Sequence, residues 1–355
     1  MKKIYIRSAS CICAQETFNN GLFTGAPVEY TERILPFAEP SYKDFFDARQ
    51  LRRMSKVVRT GVTTALRCLK DAGIETVDAI ISGTSYGCME DSENFLKSIV
   101  LQEEQALSPT AFIQSTHNLV SAQIALTLKC HKYNTTYTHR SFSFEHALID
   151  AMLLLSEQQA ENILAGSADE MTEFTYHVLQ RLGLFKQRPV SNLSLFNSNT
   201  RGSIAGQGSG FFLLSGKHLE NDCAQIDGIE LIYKANDGDI NDDIKKFLSV
   251  QKIKAEDIDL IITGKNGDAA QDKNMDNTCK DVFNNVPSIN YKHLCGEYPT
   301  SSSFALWLAA NIIKQKRLPS CFKEKNINAE HINRILMYNC YQSRYHSFIF
   351  ISKCN

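Results

Sequence analysis

Residues 77–91 read VDAIISGTSYGCMED and residues 258–272 read IDLIITGKNGDAAQD. Each stretch has a short continuous apolar run, a Ser/Thr-Gly pair, a polar loop and an acidic residue. A run of that length that stops at glycine predicts a strand covered on both faces, followed by a sharp exit. A helix-period segment precedes each one, TALRCLKDAGIET (residues 64–76) and DDIKKFLSVQKIKAED (residues 242–257). Further on, each is followed by a second strand–turn–helix: TYTHRSFSFEHALIDAMLLL (residues 136–155) and INYKHLCGEYPTSSSFALWLAANII (residues 289–313). Two distant occurrences do not make a solenoid array. They predict a duplicated α/β unit, with an N-terminal half over 1–220 and a C-terminal half over 221–355.

Other segments fit the same plan. AENILAGSADE (residues 160–170) reads as another buried strand ending in a turn. The Ser/Asn/Gly-rich loop 187–210 leads into the strand FFLLSG, and no low-complexity linker separates the halves. The start, MKKIYIRSASC, resembles a lipoprotein signal for a moment. Its apolar part is only Ile4-Tyr5-Ile6 before Arg7, against the roughly 7–15 residues of a signal core, so it reads as a first strand.

Composition bounds the function. The chain has 355 residues, 43% of them apolar, enough for a large core. A formal net charge of −1 offers no electrostatic basis for nucleic acid as a partner. No apolar stretch approaches the roughly 20 residues that span a bilayer. The 11 cysteines are odd in number and sit mostly in apolar runs, and Cys11-Ile-Cys13 has no second pair at metal spacing. A reduced cytoplasmic protein without a metal or nucleotide cofactor is expected.

Several motifs fail on context. GQGSG (residues 206–210) lacks the Lys-Ser/Thr and the following helix of a phosphate loop. NDGDINDD (residues 236–243) resembles a calcium loop, but the twelfth position holds Phe247 instead of glutamate, so it reads as an acidic helix start. The turn RSFSFE is different. A strand running sharply into a helix holds a side chain at the helix's positive end, where a nucleophile and its oxyanion are stabilised. Capping of that helix by Ser141 and Ser143 is the plain alternative.

In their order, these segments resemble the β-ketoacyl-acyl carrier protein synthases of the thiolase superfamily. LSPTAFIQSTHNLVSAQIAL (residues 107–126) resembles the segment before the active-site strand, and RSFSFEHAL takes the place of the Cys-Thr-Ser-Gly elbow. LAGSADEMT is similar to the Gly-Gly-Ala-Glu strand end, and TRGSIAGQGSGFFLL to the Arg-x-Gly…Gly-Glu-Gly-Gly segment. YKHLCGEYPTSSSFAL stands where the family carries Lys-x-x-x-Gly-His, and YNCYQSRYHSFIFI where it carries Asn-Ser-Phe-Gly-Phe-Gly-Gly. The resemblance implies a five-layered αβαβα sandwich of two similar halves, and a dimer.

It also implies where the chemistry should sit. Family condensation uses a cysteine and two histidines. Ser141 falls at the cysteine position, and a serine needs a base before it can attack. The first histidine position falls on Gly264, and no histidine occurs between His218 and His293. The second falls on Glu297, whose carboxylate cannot donate to an enolate. Lys292 keeps the family's lysine. Phe142 and Phe144 replace small residues beside the nucleophile and are candidate walls of an acyl tunnel, or core residues under the helix. His139, two residues before Ser141 on the same strand, His117 and His293 are the candidate bases for a Ser141–histidine–Glu297 triad.

The expected function is a catalytically degenerate subunit, similar to the chain length factors that pair with active ketosynthases. The RSFSFE elbow is most similar to ketosynthase-like proteins of aryl polyene or flexirubin-type biosynthesis. Its expected partners are an active ketosynthase in a heterodimer, or a second copy in a homodimer, and an acyl carrier protein. The alternative is an acyltransferase, acyl hydrolase or slow condensing enzyme that uses Ser141. A histidine within hydrogen-bond reach of Ser141 discriminates the two.

Overall fold

The computed structural model describes residues 3–19, 22–23, 25–233, 239–325 and 327–354. Among the described residues, ten strands carry the fold: β1 Ile4–Ile12, β2 Ala79–Gly83, β3 Tyr133–Tyr137, β4 Asn162–Asp169, β5 Gly208–Ser215, β6 Ala224–Tyr233, β7 Leu260–Thr263, β8 Ser288–Asn290, β9 Arg334–Tyr341 and β10 Tyr345–Ser352. They hydrogen-bond in the order β3-β2-β4-β5-β1-β6-β10-β9-β7-β8.

Read outward from the middle, the two sides of that order match strand for strand. β2 is parallel to β3 and β4, and β5 is antiparallel to β4 and β1. Likewise β7 is parallel to β8 and β9, and β10 is antiparallel to β9 and β6. A short antiparallel ladder, Ile4–Ile6 against residues 224–226, joins the sides. In the sheet the two sides meet between β1 and β6; along the chain the change falls between β5 and β6.

Five helices complete the layers: α1 Lys56–Ala72, α2 Ser143–Ser156, α3 Asp239–Gln251, α4 Ala269–Phe283 and α5 Ser302–Gln315. α1 covers one outer face through Val57, Val58, Val62 and Leu69. α3 and α4 cover the other through Ile244, Phe247, Met275 and Phe283. α2 and α5 fill the middle, where Phe144, Leu148, Phe304, Trp307 and Leu308 are all fully buried or nearly so. This is the thiolase-like arrangement of helix, sheet, helix, sheet and helix. The continuous apolar runs of β2 and β7 follow from it, because every residue of both strands is buried.

Local chemistry punctuates these elements. α1 starts eight residues before the segment read from the sequence, because its β-branched VVRTGVTT turn packs into the outer core in spite of its weak helix propensity. It ends at Gly73, whose φ of +66 lets its amide and that of Ile74 bond back to the last helical carbonyls. Of the acidic stretch 236–243, residues 236–238 lie outside the described residues, and 239–243 open α3. Among the described residues, no helix is long and apolar enough to cross a membrane.

Candidate functional site

The elbow is tighter than a strand running straight into a helix. β3 stops at Tyr137, and a 3-10 turn, Arg140–Phe142, leads into α2. Arg140 has φ +40, a left-handed conformation costly for a side chain larger than glycine's. The N-terminus of α2 lies directly on the end of β2: a Cβ on Gly83 would stand 2.3 Å from the carbonyl oxygen of Ser143. Only glycine permits this approach.

Within the turn, Ser143 Oγ accepts from the His139 amide at 2.8 Å and donates to the Arg140 carbonyl at 2.9 Å. Ser141 Oγ is buried and has no hydrogen-bond partner among the described residues. Neither serine caps α2 as expected, because the cap position is occupied by Phe142. His139 is not on the strand with Ser141; it precedes the 3-10 turn and stacks on Phe142 at 5.6 Å. His117 lies against Gly87, and His293 packs its ring on Phe196 and Phe322. No histidine therefore bonds to Ser141, and the triad is not brought together.

The second-half positions hold an ion pair. Lys292 opens a one-turn helix after β8, and Gly296, at φ +77, turns the chain back so that Glu297 faces it. Lys292 Nζ donates to both carboxylate oxygens of Glu297, at 2.9 and 2.8 Å. The lysine side chain is fully buried and that of Glu297 is 6% exposed. Asn266 Nδ2 donates to the same carboxylate at 2.9 Å, while its Oδ1 accepts from the Asp268 amide. Asp272 in turn holds the amides of Asn266 and Gly267.

Gly264 follows β7 directly and lies hard against Asn339 of β9. A Cβ there would lie 2.4 Å from Asn339 Oδ1, which accepts from the Tyr291 hydroxyl at 3.1 Å. A histidine cannot stand at 264 unless that asparagine moves.

Phe144 points away from the turn into the central core, with its ring centroid 5.6 Å from that of Phe212. Phe142 is 4% exposed and belongs to an aromatic group with His139, His146 and Tyr345.

Two carboxyls escaped the sequence reading. Glu145, four residues after Ser141, is fully buried and its Oε1 accepts from Ser347 Oγ at 2.9 Å. Burial pushes this carboxyl up to about 7, against the pull of the Ser302 and Ser347 hydroxyls and the Lys292 charge. Asp169 is also fully buried and raised by burial. It accepts from Thr84 Oγ1 and the Ser85 and Tyr86 amides on one oxygen, and from Thr300 Oγ1 on the other. Asp169 thus ties β4 to the loop after β2 and to the entry of α5. The spacing of Glu145 from Ser141, one helical turn, was the only sequence signal for either.

This geometry sits in a chain that resembles known condensing enzymes. Residues 35–199 match the family model for the beta-ketoacyl synthase, N-terminal domain. Over its whole length the chain has the fold of the solved ketosynthase structures that it resembles. It is similar to the ishigamide ketosynthase/chain length factor, at 16% identity and a TM-score of 0.82 with all of both chains covered. A beta-ketoacyl synthase from Burkholderia phymatum gives 14% identity and a TM-score of 0.81, again over all of both chains. The ketosynthase ApeO in complex with its chain length factor ApeC, from Xenorhabdus doucetiae, gives 15% and 0.76 over 99% of this chain and 98% of that one. No curated protein matches the chain.

Proposed function

We propose that this chain is a non-condensing, chain-length-factor-like subunit that pairs with an active ketosynthase in fatty acid or polyketide, and specifically polyene, chain elongation. The observation that carries this reading is the Lys292–Glu297–Asn266 cluster. It puts a closed, buried ion pair where condensation calls for a histidine donor. Ser141 without a base supports it further. On this reading Ser141, Gly264 and Glu297 occupy the three catalytic positions without performing their chemistry, and Lys292 serves to hold Glu297. Phe142, in its aromatic group, is the better candidate for a tunnel end; Phe144, deep in the core, supports the wall behind it. The protein works in the cytoplasm on substrates carried by an acyl carrier protein, as two similar halves, 1–220 and 221–355, in one body.

The alternative, acyl chemistry on Ser141, lacks the histidine that it needs. Co-expression with a Cys-His-His ketosynthase encoded beside this chain, followed by elongation on malonyl- and acyl-carrier substrates, separates the two. Ser141→Ala should elongate normally, and omission of this chain should abolish product or change its length. Loss of turnover in Ser141→Ala with the complex intact would establish Ser141 as a nucleophile and overturn the proposal.

A further inference from the structure

Two turns in this fold hold left-handed backbone without glycine, and each brings an arginine to the same place. Arg140, in the elbow, has φ +40. In the turn between β9 and β10, Gln342 and Ser343 have φ +53 and +54, where hairpins ordinarily use Gly or Asn. Arg344 closes that turn, its amide donating to the Tyr341 carbonyl. Left-handed backbone is costly for a residue with a side chain, and such strain gathers at functional surfaces.

Tyr345 is the meeting point. His139 and Phe142, on either side of the Arg140–Ser141 step, pack on its ring at 6.2 and 5.3 Å, and Arg344 precedes it in the chain. Tyr233, 51% exposed, packs on it from β6 at 5.0 Å. Burial and Tyr233 push the Tyr345 hydroxyl up, while the nearby charges of Arg140 and Arg344 pull it down. Both arginines are exposed, and neither guanidinium group has an ion pair or hydrogen bond among the described residues.

The described carboxylates around them are engaged elsewhere. Glu145 is turned into the core onto Ser347, and Asp150 accepts from the Tyr133 hydroxyl. Asp169 and Glu297 are held by the donors named above. Glu230 is paired with Phe348, whose ring belongs to the outer core on the other face of the sheet. What remains is an aromatic platform with two unanswered guanidinium groups. Arginine and tyrosine are the residues enriched where protein partners anchor. The elbow also follows β3, the outermost strand of the sheet, whose edge can add a second chain. An isologous dimer centred on this platform would set arginines against arginines. The charge therefore calls for a different chain, one that presents carboxylates.

We propose that Arg140 and Arg344 anchor this chain to its active ketosynthase partner, each meeting a carboxylate on the partner's face. This rests on the subunit reading above and adds the surface that carries it. The strained turns hold both arginines in place before the partner arrives, which lowers the ordering cost of the contact.

Biolayer interferometry of the purified chain against the Cys-His-His ketosynthase encoded beside it, at low and at high salt, tests this. Arg140→Gly is the informative variant, because glycine tolerates the left-handed turn and only the side chain is lost. It should weaken binding fivefold or more, while the isolated chain melts no lower than wild type. Arg344→Ala, at an exposed turn, should weaken binding to the same degree, and high salt should weaken the wild type more than either variant. The inference is overturned if either variant loses less than fivefold or if Arg140→Gly melts lower. It is equally overturned if the substitutions dissociate a homodimer in size-exclusion chromatography and leave ketosynthase binding unchanged. A wild type that binds no ketosynthase removes the subunit reading as well, whereas binding that ignores both arginines removes this inference alone.

Discussion

Removal of Glu297 alone should be among the most damaging substitutions in this chain, and removal of Glu297 together with Lys292 should be much milder. Lys292 directs two hydrogen bonds at Glu297 and is fully buried, so Glu297→Ala leaves an ammonium group with no acceptor in a dry interior. Breaking one side of a buried pair costs about 3–5 kcal/mol. The Asn266 amide loses its acceptor too, which adds about 1 kcal/mol or more. Lys292→Met with Glu297→Leu removes both charges and keeps the volume, leaving only the Asn266 donor unsatisfied. That double variant should stand within about 1–3 kcal/mol of wild type. The double variant should therefore be about 3 kcal/mol more stable than Glu297→Ala. Urea unfolding of the three proteins at pH 7, followed by near- and far-UV circular dichroism, reads these differences wherever the two probes coincide. If Glu297→Ala costs less than about 1 kcal/mol, or if the double variant is no more stable than Glu297→Ala, the pair is not the closed ionic unit described here.

Three further outcomes are expected. Glu145 titrates at 4.5 when unperturbed and at about 7 in the fold, so the folded state holds the extra proton between those values and stability falls as pH rises through that window. From pH 5 to pH 8 the wild type should lose up to about 3 kcal/mol that Glu145→Gln does not, and parallel pH profiles would refute this. Restoring the family set with Ser141→Cys, Gly264→His and Glu297→His should not restore condensation, because a side chain at 264 collides with Asn339. Gly264→His by itself should lower stability by about 1–3 kcal/mol in a melting experiment, and carrier-thioester elongation by the triple variant would refute the argument. Phe144→Ala should cost about 3–5 kcal/mol in urea unfolding if Phe144 is the core residue packed on Phe212, and under 1 kcal/mol if it lines an open tunnel.

The layered fold was legible because it follows from local periodicity. Apolar runs that end at Gly83 and after Thr263 mark strands buried on both faces, and their repetition announces the duplication without reference to any contact. The positions proposed as replaced catalytic ones came from a related source: segment order aligned Ser141 and Glu297 through the turns that flank them. The behaviour of those residues was not. A two-residue strand spacing put His139 on the same side as Ser141 and about 7 Å along the strand from it, but the chain leaves the strand at Tyr137 and Arg140 adopts a left-handed conformation, which re-aims everything between. Glu145 gave only a one-turn spacing as a signal, since an acidic residue early in a helix is ordinarily a solvated one.

By itself, then, the sequence determined the order of strands and helices, the repeated strand pattern, and which residues stand at the three positions proposed as catalytic. Each of these is a property of spacing along the chain. Only the tertiary structure decided that Lys292 and Glu297 close on one another, that Ser141 has no base, and that Gly264 has no room for a side chain. Hydrogen bonds, burial and steric exclusion are relations in space, which spacing along the chain does not fix. Asn266, Glu297 and Asn339 acquire their meaning only when β7, β9 and the loop after β8 lie side by side.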